Sequence, residues 1–147
     1  MSAQHPLDSL IEFATRQTDE AARNLGRLLE NEREGQHRLE LLQRYRREYE
    51  ARFVTAARQG LSREEWRNYQ TFMYRLEQAV EAQTRDLTQA QGRSESGKAE
   101  WVSQRNRLKA YDALSARQQQ QLLVDQARRE QRQSDEHAAQ RFSNPTY

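Results

Sequence analysis

The stretch Gly60-Leu61-Ser62-Arg63-Glu64-Glu65-Trp66 decides the fold, because it ends one helix and begins another. Gly60 suits the left-handed backbone conformation that often follows the last turn of a helix. Ser62 and Glu65 have the spacing of a capping box, with Ser62 at the N-cap and Glu65 three residues later. Trp66 is spaced to pack, as a hydrophobic staple, on the residue before the cap. The stretch therefore predicts a hairpin turn between two helices.

The composition favours long helices over a globule with a large core. Of the 147 residues, 35% are hydrophobic and 31% are charged, and there are only five Gly and two Pro. Such a composition is typical of coiled coils, although a disordered chain has a similar one. The absence of Cys excludes disulfides, zinc thiolates and a cysteine nucleophile, and it fits a reducing cytoplasm. The net charge of +2 comes from mixed charges, so no nucleic-acid partner is predicted.

A heptad repeat before the turn argues against disorder. Alternating steps of four and three residues from Leu7 to Ala56 define fifteen positions, of which eleven are apolar. We call these positions the α1 seam. They are Leu7, Ile11, Ala14, Thr18, Ala21, Leu25, Leu28, Glu32, Gly35, Leu39, Leu42, Arg46, Tyr49, Phe53 and Ala56.

A second heptad repeat follows the turn, and ten of its fifteen positions are apolar. We call these positions the α2 seam. They are Trp66, Tyr69, Met73, Leu76, Val80, Gln83, Leu87, Ala90, Ser94, Gly97, Trp101, Gln104, Leu108, Tyr111 and Ser115. If the helices pair antiparallel about the turn, facing positions have residue numbers that sum to 122.

Side-chain size supports this pairing, because large residues repeatedly face small ones, as interdigitating layers require. The predicted facing pairs are Ala56 with Trp66, Ala21 with Trp101, Ala14 with Leu108, Gly35 with Leu87, Leu25 with Gly97, and Leu28 with Ser94.

We therefore predict an all-α fold: a long two-helix antiparallel coiled-coil hairpin with an overhanging C-terminal helix. A single domain, residues 1–147, would contain helix one over about 7–58, a turn over 59–62, helix two over about 63–140 and a disordered tail over 141–147. No stretch reaches the roughly 20 apolar residues of a membrane span, and no signal peptide is evident, so a soluble chain is expected.

The overhang carries an apolar patch that no helix of this chain would cover. The patch consists of Leu122, Leu123 and Val124, beyond the last predicted seam position, Ser115. An amphipathic helix in this situation commonly frays or docks on another protein. The patch is therefore a candidate partner-binding segment.

Candidate chemistry is sparse, and we predict no enzyme activity, cofactor or metal. Gly92 to Lys98 has the glycine and lysine spacing of a phosphate-binding loop, but Ala99 replaces the required hydroxyl and a helical seam runs through the segment. Instead, its glycines and serines predict a kink or a local opening there. The histidines are scattered, and the carboxylates form no secluded pair. The three histidines are His5, His37 and His137.

Phe72 is the most informative side chain off the seam. With Leu76, Ala79 and Gln83 it follows the 4-3-4 spacing of one helical stripe close to the turn. Two interpretations remain open: Phe72 widens the core near the turn, or the stripe is a docking surface for a partner.

The pattern Trp66-x2-Tyr69-Gln70-x-Phe72-x3-Leu76-Glu77-x-Ala79 resembles the flagellar FliJ family. The segment Glu20-Ala21-Ala22-Arg23-x-Leu25-Gly26 and the spacing Trp101-x6-Leu108 add to the resemblance, which runs along essentially the whole chain.

The resemblance implies a small, non-catalytic component of the bacterial flagellar type III export apparatus, needed for flagellum assembly and motility. It implies three partners: the hexameric export ATPase, the export-gate membrane protein and export chaperones. The location implied is cytoplasmic, at the inner membrane of the flagellar base, with membrane contact only through partners. The gate-binding stripe of the family falls on Phe72, Leu76, Ala79 and Gln83, and Gln83 stands where some relatives have His. Leu122, Leu123 and Val124 would dock on the ATPase or on chaperones.

Three alternatives remain, and the third is an RNA-binding helical hairpin, whose mark would be a steep salt dependence of polynucleotide binding. The stalk of a virulence-type secretion system would share this architecture, and a generic structural coiled coil that dimerises through its tail would need no ATPase.

Overall fold

The computed structural model describes residues 6–143, and these form two helices and no strand. Helix α1 spans Pro6–Gln59 and helix α2 spans Arg63–Ser143. The two helices pack against each other, which confirms the predicted all-α helical hairpin. The tail predicted over 141–147 is helical as far as Ser143, and its last four residues lie outside the described residues, as do residues 1–5.

At the turn, the structure confirms the left-handed glycine and the N-cap serine that the sequence predicts, whereas the packing of Trp66 as a hydrophobic staple stays a prediction. Gly60 has a φ of 97°, in the left-handed region, and its N–H donates to the carbonyl of Ala57 at 3.3 Å. Ser62 directly precedes α2, and its Oγ accepts a hydrogen bond from the N–H of Glu65 at 3.2 Å. The N–H of Trp66 donates to the carbonyl of Ser62 at 3.0 Å. These bonds satisfy backbone groups that a helix end would otherwise leave without partners.

The heptad seams are the buried faces of both helices. All fifteen positions of the α1 seam are buried or half-buried, and so are fourteen of the fifteen positions of the α2 seam. The exception is Trp66, in the first turn of α2, which is 44% exposed. Most other positions of both helices are exposed, as expected of helices whose charged faces meet solvent.

Close packing divides the chain into two units. The turn unit comprises residues 19–102, and the terminal unit comprises residues 6–18 with 103–143. The prediction of a single domain stays a prediction.

Contacts inside the turn unit confirm the predicted register. The Oγ of Ser94 donates to the carbonyl of Leu28 at 3.2 Å. A Cβ placed on Gly35 would lie 3.5 Å from Cδ1 of Leu87, and one placed on Gly97 would lie 3.7 Å from Cδ1 of Leu25. Each of these pairs was predicted to face across the seam. The remaining large-against-small pairs stay predictions.

In the terminal unit, α1 contributes Leu7, Ala14 and Thr18 to the buried seam. The hydroxyl of Thr18 donates to the carbonyl of Ala14 at 2.7 Å, so this buried polar group is satisfied within its own helix. Beyond Ser115, every described side chain of α2 is exposed except Asp125, which is half-buried. The last part of α2 thus has no described residue of α1 opposite it, as predicted for an overhang.

Candidate partner-binding surfaces

An aromatic cluster lies next to the turn and joins the two helices. The ring centroids of Phe53 and Trp66 are 5.1 Å apart, and those of Phe53 and Tyr69 are 5.4 Å apart. Tyr49 lies 5.2 Å from Tyr69 and 4.1 Å from Phe72, again between centroids. Tilted aromatic pairs of this kind each contribute about 0.5–1.5 kcal/mol beyond the area that they bury. The cluster therefore holds the end of the hairpin together and gives its surface a defined shape.

Phe72 has a packed side and an open side. Its ring packs on Tyr49, yet 42% of the residue is exposed. It helps line a groove between the two helices, which we call the Phe72 groove. The lining residues are Tyr45, Glu48, Tyr49, Arg52, Phe72 and Leu76. An apolar floor with one acid and one base at its rim suits a mixed apolar and polar partner surface.

Tyr45 is a surface residue that the sequence analysis missed. It is 57% exposed and lies in the Phe72 groove, contributed by α1. Its position directly before the seam residue Arg46 was a usable signal, because positions that flank a seam on facing helices lie side by side.

A second groove lies in the same region of the turn unit. It includes Phe53, Trp66, Met73 and Tyr74, with carboxylates from Glu50 and Glu77 nearby. Tyr74 is 63% exposed, and Trp66 is also open to solvent. Exposed aromatic side chains therefore occur in both grooves.

The overhang presents the predicted apolar patch to solvent. Leu122 and Leu123 are each 67% exposed and Val124 is 38% exposed. Successive residues of a helix point about 100° apart, so the three side chains form a broad apolar surface instead of a single narrow stripe. An amide–carboxylate hydrogen bond from Gln121 Nε2 to Asp125 Oδ1, 3.1 Å long, brackets the patch on the helix surface.

Other candidate sites receive no support from the described residues. The segment from Gly92 to Ala99 is continuous helix, so it does not form a phosphate-binding loop. His37 and His137 are exposed, and His5 lies outside the described residues. Within residues 6–143, no group of three or more His, Asp or Glu side chains is arranged to hold a metal. Neither described helix contains an apolar segment long enough to cross a bilayer.

Comparison with known proteins identifies the family. The family model of the flagellar FliJ protein matches residues 3–146. The chain belongs to the FliJ family. The flagellar FliJ protein of Salmonella typhi is 32% identical over 137 residues, covering 92% of this chain and 93% of that protein. The flagellar FliJ protein of Escherichia coli (strain K12) is 28% identical over 138 residues, covering 94% of each chain.

The four residues of the stripe that the FliJ resemblance implies differ in their exposure to solvent. Phe72 is open to solvent, whereas Leu76 is only 9% exposed and Ala79 is half-buried. Gln83 is part-buried, and its Nε2 donates to the carbonyl of Gly35 at 3.3 Å. In the paired hairpin of this FliJ chain, Phe72 offers the largest accessible surface of the four, and its role in binding stays a prediction.

Proposed function

We propose that this FliJ-family chain is a non-catalytic stalk and escort component of the bacterial flagellar type III export apparatus. It links the hexameric export ATPase to the export-gate membrane protein, and it handles export chaperones. The observation that carries the proposal is the family match over nearly the whole chain. Its location would be cytoplasmic, at the inner membrane of the flagellar base.

The proposed mechanism is mechanical. A helical hairpin with an aromatic cluster at its turn is stiff there, because the rings join both helices through several contacts. Such an element can transmit a conformational change in one partner protein to a second partner protein, and it needs no reactive centre to do so. ATP hydrolysis would take place in the ATPase, and this chain would couple it to export at the gate.

The proposed gate contact is made by the Phe72 groove. Phe72 supplies an accessible aromatic ring, held in place by Tyr49 at 4.1 Å between centroids. Rigid aromatic anchors of this kind often dominate the energy of protein interfaces. Leu76 supports the groove from below, and Gln83 acts indirectly, through its bond to Gly35, by holding the helices together.

The proposed contact with the ATPase or chaperones is made by Leu122, Leu123 and Val124. Their exposure on an uncovered helix is the property expected of a segment that lays its apolar side chains on a partner. Both named relatives are flagellar proteins, which favours the flagellar system over a virulence-type one.

The gate contact is tested by Phe72→Ala with Tyr74→Ala as its matched control. Both residues are exposed aromatics on α2, two positions apart, but only Phe72 lines the Phe72 groove. We expect Phe72→Ala to weaken binding of the gate protein at least tenfold and to reduce swimming, because loss of a central aromatic anchor costs about 2 kcal/mol or more. Tyr74→Ala should behave like the wild type in a pull-down and on motility agar.

Leu76→Ala is a poorer test, because removing a buried leucine destabilises a fold by about 2–5 kcal/mol. Equal gate binding by the wild type and Phe72→Ala would reject the groove as the gate site. Failure of the wild-type chain to co-purify with a hexameric ATPase would instead favour a generic structural coiled coil.

A further inference from the structure

The helical glycines of the turn unit are of two kinds. Gly35 and Gly97 lie on the seams, where a Cβ would come within 3.5 Å and 2.7 Å of leucine side chains of the facing helix. Gly26 and Gly92 are exposed, and a Cβ on either would meet nothing within 4 Å. Neither of these two has a positive φ. Packing therefore explains the first pair of glycines, whereas neither packing nor backbone conformation explains the second.

The two unexplained glycines weaken both helices at one level of the hairpin. In the confirmed register, Gly26 of α1 faces residue 96, about one helical turn from Gly92 of α2. Relative to alanine, each glycine lowers the equilibrium constant for forming the helix locally by roughly fivefold. α2 is weakened further about one turn before Gly92, because the hydroxyl of Thr88 donates to the carbonyl of Thr84 at 3.0 Å. Such back-bonding often bends helices.

The seam at this level also buries little apolar surface on the α2 side. Leu25 and Leu28 face Gly97 and Ser94, which have no apolar side chain to offer. What joins the helices here is the Ser94 hydroxyl, which donates to the carbonyl of Leu28 at 3.2 Å, together with the close approach at Gly97. On either side along α2, Leu87 and Trp101 supply larger apolar groups to the seam.

We propose that the level of Gly26 and Gly92 is a built-in bend point of the hairpin. Both helices flex there, and the Ser94 bond with the Gly97 contact acts as the pivot that keeps them paired. In a chain that links two partners, as proposed above, such a point lets one part of the hairpin follow its partner without separation of the helices. The aromatic cluster near the turn stays rigid throughout the motion.

Amide hydrogen exchange on the full-length protein tests the bend point directly. We expect a local maximum of exchange rate in peptides covering residues 22–30 and 88–98. Peptides covering 36–46 and 74–84, on the turn side of the bend point, should exchange more slowly. Peptides near Trp101, on the opposite side of the bend point, should also exchange more slowly. Because helix ends fray, a chain with no bend point would show exchange that rises steadily away from the turn. That steady profile would overturn the proposal.

The double variant Gly26→Ala/Gly92→Ala isolates the cause. We expect it to slow exchange in peptides 22–30 and 88–98 by about fivefold or more, since alanine restores the local helix equilibrium and neither Cβ meets a neighbour. The matched control is Thr15→Ala/Asn106→Ala, which replaces one exposed, weak helix former on each helix away from this level. Equal slowing in the control, or none in the glycine variant, would contradict a bend point at this level.

Swimming tests whether the protein uses the bend. Cells with the glycine variant should swim more slowly than cells with the control variant, although the glycine variant is the more stable protein. Wild-type swimming in that strain would reject a functional bend. The exchange measurement needs no partner, so it stands or falls independently of the proposed export function.

Discussion

At the scale of single residues, the close approach at Gly97 shows how one missing side chain sets the spacing of two helices. A Cβ there would lie 2.7 Å from Cδ1 of Leu28 and 3.9 Å from the Cα of Leu25. The leucine side chain could shift to admit a methyl group, but the backbone of α1 leaves no room for a long side chain. Gly97 is therefore a packing residue, in contrast to Gly92.

We expect Gly97→Leu to lower the free energy of unfolding by about 1–3 kcal/mol, because the added side chain overpacks the seam. Gly92→Leu is the matched control: it adds the same atoms to the same helix where a Cβ meets nothing within 4 Å. The control should raise the free energy of unfolding by up to about 0.8 kcal/mol through helix propensity. Urea unfolding followed by circular dichroism measures both, and equal effects of the two substitutions would contradict this role of Gly97.

At the scale of elements, the start of α2 is determined by a local hydrogen bond. Ser62 Oγ accepts from the N–H of Glu65 at 3.2 Å, and Gly60 supplies the left-handed residue that ends α1. Both features belong to a seven-residue stretch, so the position of the turn depends little on the rest of the chain. The register of the hairpin follows from that position, because a tight turn leaves few residues free to shift the pairing.

Ser62→Ala should lower the free energy of unfolding by about 1 kcal/mol, because the N-cap acceptor is lost. Ser134→Ala, at an exposed position inside the overhang of α2, is the control and should leave stability unchanged or slightly raised. Thermal unfolding by circular dichroism compares them. A loss in Ser134→Ala as large as that in Ser62→Ala would show that the capping bond is not responsible.

At the scale of the whole molecule, exposed apolar side chains occur on each of the two units. In the turn unit they include aromatic residues that line grooves beside a rigid cluster, and in the terminal unit they include aliphatic residues on an uncovered helix. The mixed charges and the net charge of +2 do not single out either unit for an anionic partner. Apolar surface is thus the feature on which the proposed associations depend.

The double variant Leu122→Glu/Leu123→Glu should reduce co-purification of the export ATPase or of a chaperone by tenfold or more. Its melting temperature should stay near that of the wild type, because both residues are 67% exposed and substitutions at exposed sites change stability by only about 0.5 kcal/mol. Ala138→Glu/Ala139→Glu adds the same charges to exposed positions of the same helix and should retain binding. Undiminished association in the leucine variant would remove this patch from the proposed interface.

The sequence by itself determined the helices, the turn, the seams and their register. Heptad spacing, a capping serine and a glycine are local signals, and local signals are sufficient when every layer of a fold repeats the same contact. The pairs Leu28 with Ser94 and Gly35 with Leu87 could be predicted for that reason.

Only the tertiary structure decided which residues near the turn are accessible. Leu76 belongs both to the α2 seam and to the predicted stripe. Its burial depends on packing against α1, and the spacing of residues within α2 alone does not show which of them α1 covers. Gln83 reaches the carbonyl of Gly35 because that residue lacks a side chain to shield it. Trp66 stays exposed despite its seam position, since it lies in the last layer before the turn and no further layer covers it. Accessibility is a property of two facing helices, whereas periodicity is a property of one.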